Sequence, residues 1–538
     1  MGVHARLRAL LLAAVTAASM GAIGHPAAAA GFGLTTSTSA FTVDTGAGLT
    51  FRISRTNGDL TSLKLDGVEL QNQTRQSHVE SGLGSGASVT ASQNGSTIVI
   101  TESTTTWYGS GTLVHYLVAR SGENNIYMAT FVDAAGGGEL RWYQSLNRTV
   151  LSNTFTPSDT RGGTAIESTD VLTVSGQTRS KYYSNRQAMS LTIRGVTGPS
   201  AGVYMDYGNR ESSAGGPFFR DIEQQGTDNN DLYNYLWSAH NQTESQRLGV
   251  LYGPYALMVT NGPAPAARDL SFMYGLGLRG AVAAPGRGFV VGKAMGVATG
   301  MRTVVGWANA RAQYWAVPQS NGNFSSPAMK PGTYTQTLYQ NELGVATRTV
   351  TVTAGSTTIG QNITSTWTTP AAIFRIGDWD GTPAGLENSA NLTSMHPSDA
   401  RMRSWGPANF TVGSGQASDF PAYQWKDVNN PTTVRFTLAS SQVAAHTVRI
   451  GITAAFNGGR PQIKVNNWTS PAPAASSQPS SRSLTIGTYR GNNALYTFSV
   501  PASAFVAGTN TMTITVISGS SGTGFLSPGM SFDAVELF

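Results

Sequence analysis

Cysteine is absent from this 538-residue chain. That absence excludes disulfide bonds, zinc–thiolate sites and thiol catalysis. Charged residues make up only 12% of the sequence, and no run of lysine and arginine of the kind that binds nucleic acid is present. No long amphipathic helical pattern follows the N-terminus. A helical fold, a thiol-dependent enzyme and a nucleic-acid partner are therefore not expected.

Lysine is also scarce, and it occurs at positions 64, 181, 293, 330, 426 and 464 only. The formal net charge is nevertheless +6, because arginine supplies most of the positive charge. A mildly basic protein suits a polyanionic partner. Ordinary solubility explains the same charge equally well, so charge alone does not choose between these interpretations.

The first 30 residues have the pattern of a secretion signal. Arg6 and Arg8 form a basic region, residues 9–20 form an apolar run, and residues 27–30 offer a small-residue cleavage site. The apolar run is too short for a membrane anchor, and no second run follows. We expect a secreted, extracellular protein without membrane association. Nothing in the pattern demands more than a monomer.

What the chain does contain is glycine, 62 residues of it, among runs of valine, isoleucine, threonine and tyrosine. This pattern is typical of all-β sandwiches. The length predicts two to four domains, and we divide the chain after the signal into residues 31–282, 283–366 and 373–538. The first is a large β-sandwich, in which Asn57-Gly58 and Asp66-Gly67 have the composition of hairpin turns.

The second unit contains about seven short strands, as a fibronectin-like or immunoglobulin-like sandwich does. The third has the strand pattern of a jelly roll of the carbohydrate-binding type. Its residues Asp378, Asp380 and Asp533 offer the hard oxygen ligands that calcium prefers, which favours a structural calcium. Plain turn aspartates are the alternative interpretation.

Residues 176–244 carry the strongest chemical signal. GQTRSKYYSNRQ contains Lys181, and DLYNYLWSAHNQTE contains His240. A lysine and a histidine among arginines and tyrosines suit proton abstraction beside a substrate carboxylate, which indicates a lyase acting on an acidic sugar polymer. Each residue alone is more often solvated or packed. Residues 212–234 are rich in glycine and aspartate and predict a long loop over a concave face.

The three-part layout and these motifs together resemble the rhamnogalacturonan lyases of polysaccharide lyase family four. The likeness covers the chain after the signal, and NGNFSSPAMKPGTYTQTLYQNELGVA and IFRIGDWDGTP are especially similar. It implies a mutarotase-like supersandwich catalytic domain, followed by a fibronectin-like domain and a carbohydrate-binding-like jelly roll. It also implies cleavage of the rhamnose–galacturonate bond of rhamnogalacturonan I, a pectin, by β-elimination.

The resemblance further implies which residues act. Lys181 and His240 correspond to the catalytic pair, and Tyr233 and Tyr235 to two tyrosines that contact substrate. Arg141 is the best match to a substrate-binding arginine in the strand upstream of the lysine, although another arginine, at position 148, is close by. Strand alternation puts Tyr233, Tyr235 and Trp237 on one face, as a core strand would also do.

Arg210 and Arg220, in the segment between the two motifs, are taken as further substrate contacts; ordinary loop charges are the alternative. β-Elimination removes the proton at C5 of a galacturonate, and the adjacent carboxylate must be neutralised by a metal or by cationic side chains. We expect the cationic route, with no cofactor required for catalysis. We assign Lys181 as the base and His240 as its partner, and the reversed roles stay open.

Two other functional classes remain. A pectin glycoside hydrolase needs a pair of carboxylates that flank the bond. The candidates for that pair are Glu211, Asp221 and Glu223. A non-catalytic carbohydrate-binding protein needs neither Lys181 nor His240. Substitution of either residue distinguishes these classes, because a lyase loses turnover while keeping its affinity for the polymer.

Overall fold

The computed structural model describes residues 31–184, 186–239, 244–481 and 491–538. The predicted secretion signal lies outside these ranges. Within them, the helices are short 3-10 turns, and none is long and apolar enough to span a membrane. These turns are Thr156–Ser158, Lys181–Ser184, Ala188–Ser190, Ser271–Gly275, Ala284–Gly286, Ser389–Asn391, Ala417–Asp419, Ser440–Gln442, Ala502–Ala504 and Gly524–Leu526. The predicted all-β class is confirmed.

Strands of the first unit run from residue 33 to residue 260. They are β1 (Gly33–Thr36), β2 (Ala40–Asp44), β3 (Leu49–Ser54), β4 (Leu60–Leu65), β5 (Val68–Glu69), β6 (His78–Val79), β7 (Ser88–Asn94), β8 (Thr97–Trp107), β9 (Gly111–Arg120), β10 (Asn125–Val132), β11 (Leu140–Leu146), β12 (Thr164–Glu167), β13 (Val171–Val174), β14 (Gln177–Ser180), β15 (Ile193–Thr197), β16 (Gly202–Asp206), β17 (Gln224–Gly226), β18 (Asn230–Trp237) and β19 (Val250–Thr260).

These strands form four sheets. One is the meander β1-β2-β3-β4-β5, and another has seven strands in the order β15-β16-β19-β10-β9-β8-β7. The order β17-β18-β11-β6 makes a four-stranded sheet, and β12-β13-β14 makes a small three-stranded one. Asp66 and Gly67 join β4 to β5 with φ values of 49° and 85°. Both values are positive, as a two-residue type I′ hairpin turn requires.

The main apolar core combines side chains from the five-, seven- and four-stranded sheets, including Phe51, Leu117 and Trp142. Successive side chains of a strand point to opposite faces, so the neighbours of Trp142 turn away from this core. On that opposite face of the four-stranded sheet lies a separate cluster, which we call the tyrosine cluster. It consists of Tyr143, Tyr182, Ile222, Tyr233 and Tyr235.

Two predictions about this region need correction. The register of β11 on β18 shifts between Leu140 and Arg141, which pair with Trp237 and Tyr235 respectively. This β-bulge interrupts the alternation, and Trp237 packs against the main core instead of joining Tyr235. The predicted loop 212–234 is also shorter than expected, because β17 and most of β18 lie within it. Its remaining residues are largely buried.

The second unit contains the strands β20 (Phe289–Met295), β21 (Thr303–Ala308), β22 (Gln313–Ala316), β23 (Asn323–Ser325), β24 (Gly332–Gln340), β25 (Leu343–Val352), β26 (Thr357–Thr358) and β27 (Ile363–Thr364). They form two four-stranded sheets, one with the order β22-β21-β24-β25 and one in which β20 pairs with β23, β26 and β27. Trp307, Phe324 and Leu338 are buried in the core of this sandwich.

The third unit contains β28 (Phe374–Gly377), β29 (Asn409–Thr411), β30 (Tyr423–Trp425), β31 (Thr432–Leu438), β32 (His446–Phe456), β33 (Arg460–Val465), β34 (Trp468–Thr469), β35 (Ala494–Val500), β36 (Gly508–Ile517) and β37 (Gly529–Leu537). Two five-stranded sheets enclose its core. They are β28-β37-β32-β35, with β30 also on β37, and β29-β31-β36-β33-β34.

A buried charge network joins the first unit to the second. The carboxylate of Glu211 accepts hydrogen bonds from both terminal nitrogens of Arg287, at 2.7 and 2.9 Å, and from the Tyr314 hydroxyl at 2.8 Å. The ammonium of Lys330 lies 3.1 Å from the same carboxylate. Burial alone would raise the pKa of Glu211, but Arg287 and Lys330 lower it below its ordinary value.

We predict that Glu211→Gln destabilises the protein by about 3–5 kcal/mol, because it leaves Arg287 and Lys330 buried without their counter-charge. Denaturant unfolding of the full chain measures this. The pKa of Glu211 is lower in the folded than in the unfolded chain, so its stabilisation is present at neutral pH and is lost as the pH falls below 4.5, the ordinary pKa of a glutamate, and through the lower pKa of the folded state.

The matched control for this change is Asp419→Asn, since Asp419 is about half exposed and pairs with Arg403 at 3.9 Å at the surface. An exposed pair contributes about 0–1 kcal/mol, so the control should unfold close to the wild type. Equal unfolding midpoints for Glu211→Gln and the control would contradict the predicted role of the network.

Candidate functional site

A row of aromatic rings crosses the four-stranded sheet on the face away from the core. The ring centroids of Tyr235 and Tyr233 are 5.8 Å apart, those of Tyr233 and Tyr143 are 5.5 Å apart, and those of Tyr143 and His78 are 5.3 Å apart. The strand register explains the row, because Tyr143 pairs with Tyr233 on one side and with His78 on the other.

Arg141 lies at one end of this row. One terminal nitrogen donates to the Tyr235 hydroxyl at 2.6 Å, and the same nitrogen is 2.8 Å from Glu139. The guanidinium carbon is 5.7 and 5.4 Å from the ring centres of Tyr233 and Tyr235. Burial opposes the positive charge, but Tyr235 and Glu139 raise the pKa of Arg141 above its usual value. Arg141 is therefore a charged group held in one orientation.

Arg141 on β11 and Arg148 just after that strand are the two candidate arginines. Of the two, only Arg141 contacts the tyrosine cluster. Arg148 instead forms an ion pair with Asp159 at 2.8 Å and donates to the backbone carbonyl of Thr227 at 2.7 Å. The geometry thus favours Arg141 as the arginine of the site.

Tyr233 and Tyr235 are only 6% and 3% exposed. Burial raises the pKa of both phenols well above the ordinary value, so both stay protonated. Their rings contact one another and the rest of the tyrosine cluster, which leaves little ring surface for a sugar to stack on. The hydroxyl of Tyr235 orients Arg141, and that of Tyr233 donates to Gln225 at 3.1 Å.

Lys181 begins the 3-10 turn that directly follows β14. Its ammonium lies 3.0 Å from a carboxylate oxygen of Asp170, and its side chain is 23% exposed. The same nitrogen is 5.4 Å from the ring centre of Tyr182, a member of the tyrosine cluster. Tyr182 therefore connects the lysine to the cluster that holds Arg141. Asp170 is a partner that sequence reasoning missed.

The remaining residues predicted for the site are His240, Arg210 and Arg220. His240 lies outside the described residues, three positions after the end of β18. Arg210 donates to the side chain of Asn234 and to the backbone carbonyl of Tyr235, both at 2.7 Å, so it supports β18. Arg220 contacts Glu342 of the second unit at 2.7 and 3.3 Å. Neither arginine points a free guanidinium at the tyrosine cluster.

The carboxylates proposed for a hydrolase are also engaged. Glu223 is 2% exposed and pairs with Arg186 at 2.6 Å and Arg194 at 3.1 Å. Glu211 belongs to the interdomain network, and Asp221 accepts a hydrogen bond from the backbone amide of Ile222. Glu211 and Glu223 are therefore held in buried ion pairs, whereas hydrolysis requires two carboxylates that flank the bond to be cleaved.

The aspartates predicted to hold calcium have other partners. One oxygen of Asp533 accepts the backbone amides of Asp380 and Gly381 at 3.1 and 2.8 Å. Asp380 accepts from Thr382 and from Asn341, which lies in the second unit. In the described ranges no group of three or more histidine, cysteine, aspartate or glutamate side chains is placed to hold a metal. The donor set fits a hydrogen-bonded turn better than calcium, so that site stays only a prediction.

A loop of the third unit supports the strand that leads to Lys181. The carboxylate of Asp399 accepts the backbone amide of Thr178 at 2.6 Å and its hydroxyl at 2.8 Å. His396 lies 3.1 Å from Glu167, on the first strand of the same small sheet. Burial opposes the charge of Asp399, but Arg401 and Thr178 lower its pKa well below the usual range. No local sequence signal reveals this contact, since 221 positions separate its partners.

Three family models match successive segments of this chain. Residues 32–280 match the family model described as Rhamnogalacturonan lyase B, N-terminal. Residues 286–359 and 372–537 match the models for domains II and III of polysaccharide lyase family 4. The chain belongs to polysaccharide lyase family 4.

Named relatives extend along nearly the whole chain. Rhamnogalacturonate lyase A of Aspergillus aculeatus is 48% identical over 95% of this chain and 96% of its own length. A probable rhamnogalacturonate lyase A of Aspergillus fumigatus has the same identity and coverage. A putative rhamnogalacturonase of Neurospora crassa is 44% identical over 95% of this chain and 96% of its own. Among solved structures, a galactose mutarotase related enzyme of Lactobacillus acidophilus matches 43% of this chain and 100% of that chain, with 9% identity and a TM-score of 0.28.

We predict that Tyr235→Phe lowers kcat/KM roughly tenfold, because it removes one hydrogen bond to a charged group and lets Arg141 move. Packing is retained, so thermal stability should change little. Tyr207→Phe is the control, since Tyr207 is equally buried and its hydroxyl has no hydrogen-bond partner among the described residues. Unchanged kinetics in Tyr235→Phe would show that Arg141 does not depend on the phenol.

Asp399→Asn tests the support from the third unit. We expect kcat to fall about tenfold with KM unchanged, because a small displacement of Lys181, the base predicted from the sequence, slows the chemical step. Asp419→Asn, at an exposed ion pair of the same unit, is the control. Faster amide exchange in β14 of the Asp399 variant should accompany the loss. A wild-type kcat in that variant would contradict the prediction.

Proposed function

We propose that this chain is a secreted rhamnogalacturonan lyase that cleaves the rhamnose–galacturonate bond of rhamnogalacturonan I by β-elimination. The single observation that carries the proposal is the match to polysaccharide lyase family 4 along the chain, with relatives named rhamnogalacturonate lyase at 48% identity. The site supports it, because a lysine and an oriented arginine border one cluster.

In the proposed reaction, Lys181 in its neutral form takes the proton from C5 of a galacturonate. The electron pair of the C5–H bond forms the C4–C5 double bond, and the bond from C4 to the rhamnose-bearing oxygen breaks. That oxygen takes a proton from His240, which we propose as the acid; the exchange of the two roles is the alternative. Asp170, 3.0 Å from the lysine nitrogen, stabilises the ammonium that forms.

Arg141 has the position and charge to neutralise the carboxylate next to C5, where negative charge develops. Tyr235 keeps its guanidinium in place, so little reorganisation is needed as the reaction proceeds. We propose that this cationic route removes the need for a metal in catalysis. Tyr233, Arg210 and Arg220 act on the site by supporting β18 and the segment around it.

The cellular setting follows from the same proposal. The basic, apolar and small-residue pattern of the first 30 residues favours export, and a plant cell-wall polymer is met outside the cell. We propose a monomeric extracellular enzyme whose partner is pectic polysaccharide. The three sandwich units are joined to one another by buried polar contacts, such as Glu211 with Arg287.

Ultraviolet absorbance of the unsaturated product tests this function. Purified protein on rhamnogalacturonan I should raise the absorbance, both with and without a chelator, whereas homogalacturonan should give no signal. Lys181→Ala and His240→Ala should lose turnover and keep affinity for the polymer. New reducing ends without absorbance would indicate a hydrolase. Polymer binding with neither signal would indicate a carbohydrate-binding protein.

A further inference from the structure

Arg75 lies on the loop before β6 and is exposed. One terminal nitrogen donates to the Tyr143 hydroxyl at 3.3 Å. Arg75 forms no ion pair within the described ranges, in contrast to Arg141 and Lys181, which pair with Glu139 and Asp170. It is therefore a positive group beside the aromatic row whose charge is available to a ligand.

The surroundings hold Arg75 in place. Its backbone carbonyl accepts a hydrogen bond from the buried side chain of Gln71 at 2.8 Å. The Tyr143 hydroxyl, which accepts from Arg75, donates in turn to the carboxylate of Asp231 at 3.0 Å. Asp231 is 1% exposed. A chain of hydrogen bonds that ends at a buried carboxylate thus orients one edge of the guanidinium, and its other donors have no hydrogen-bond partner among the described residues.

His78, the ring next to Tyr143, does not compete for an anion. Its pKa is lowered to about 4 by burial, with smaller contributions from the charges of Arg141 and Arg75. The ring is neutral at the pH of most assays.

The two arginines contact neighbouring positions on one face of β11. Arg141 is on the strand itself, and Arg75, on the loop before β6, contacts the hydroxyl of Tyr143, two residues further along. Two residues of a strand span about 7 Å, and the side chains of Arg141 and Tyr143 extend from the same face. A polymer lying along this face would meet one cation at Arg141 and a second beside Tyr143.

We propose that Arg75 is a second carboxylate-binding site on this face of the four-stranded sheet, which takes the uronate carboxylate next along the polymer from the reacting one. The proposal rests on the proposed function for the identity of the polymer. An arginine presents a planar fork that binds a carboxylate through two hydrogen bonds. Arg141 neutralises the carboxylate of the reacting sugar, and Arg75 binds the carboxylate of the next uronate along the polymer.

Such a pair of sites selects a polymer by the spacing of its carboxylates. An alternating polymer carries one carboxylate per disaccharide repeat. A neutral polymer offers nothing to Arg75, and an oligosaccharide too short to reach it should be cleaved equally well with or without this arginine. Arg75 thus contributes to binding of long substrates and not to the chemical step.

The test is a thermodynamic cycle in which the substitution in the protein is one change and the modification of the ligand is the other. Binding of rhamnogalacturonan oligosaccharides to wild type and Arg75→Ala is measured by calorimetry, with native and with carboxyl-reduced ligand. We expect Arg75→Ala to weaken binding of the long native ligand about tenfold, as loss of a charge-assisted contact does. The carboxyl-reduced ligand should bind both proteins alike. In turnover, KM should rise by the same factor while kcat is unchanged.

Arg348→Ala is the control, because Arg348 is an exposed arginine on the second unit. Equal affinity of wild type and Arg75→Ala for the long native ligand would overturn the proposal, as would an equal loss with the carboxyl-reduced ligand. Lyase activity in the wild type together with either result leaves the proposed function standing and rejects only the Arg75 site. An inactive wild type that loses carboxylate-dependent binding in Arg75→Ala keeps the site and rejects the lyase. A wild type that binds no oligosaccharide rejects both.

Discussion

The site depends on one constraint, which is that β11 and β18 present opposite environments on their two faces. Trp142 and Leu232 are buried in the main core, while Tyr143 and Tyr233, one residue away on each strand, lie in the tyrosine cluster. Because alternate side chains are fixed to opposite faces, the packing of the core also fixes the direction of Arg141. The apolar face anchors the sheet in the core, and the polar, aromatic face presents the side chains of the candidate site.

The polar groups of the site are oriented by partners rather than by solvent. Tyr235 and Glu139 hold Arg141, and Asp170 pairs with Lys181. A hydrogen bond or ion pair that is half-buried restricts a long side chain more than one in water does. The third unit contributes as well, because Asp399 binds the strand that ends at Lys181. The carbohydrate-binding-like unit is therefore also a structural support of the candidate site.

Sequence reasoning predicted the all-β class and the hairpin turn at Asp66-Gly67, because strand alternation and turn chemistry are local. It also predicted Lys181 and Arg141 as site residues, from a family resemblance, and that assignment stays a prediction. It placed Trp237 with Tyr235, which is wrong, since a one-residue bulge moves a side chain from one face to the other. It assigned Arg210 and Arg220 to substrate, whereas their guanidinium groups are engaged by Tyr235 and by Glu342.

The sequence alone determined the class of fold, the lack of any thiol chemistry and the family, because composition, periodicity and motifs are carried along the chain. Only the tertiary structure decided which partners surround each charged side chain. Arg75, Arg141 and Arg220 are indistinguishable as letters, yet one is free of ion pairs in the described ranges, one is oriented by a phenol, and one joins two domains. Those differences arise from partners distant in sequence, whose proximity exists only after the sheets have packed.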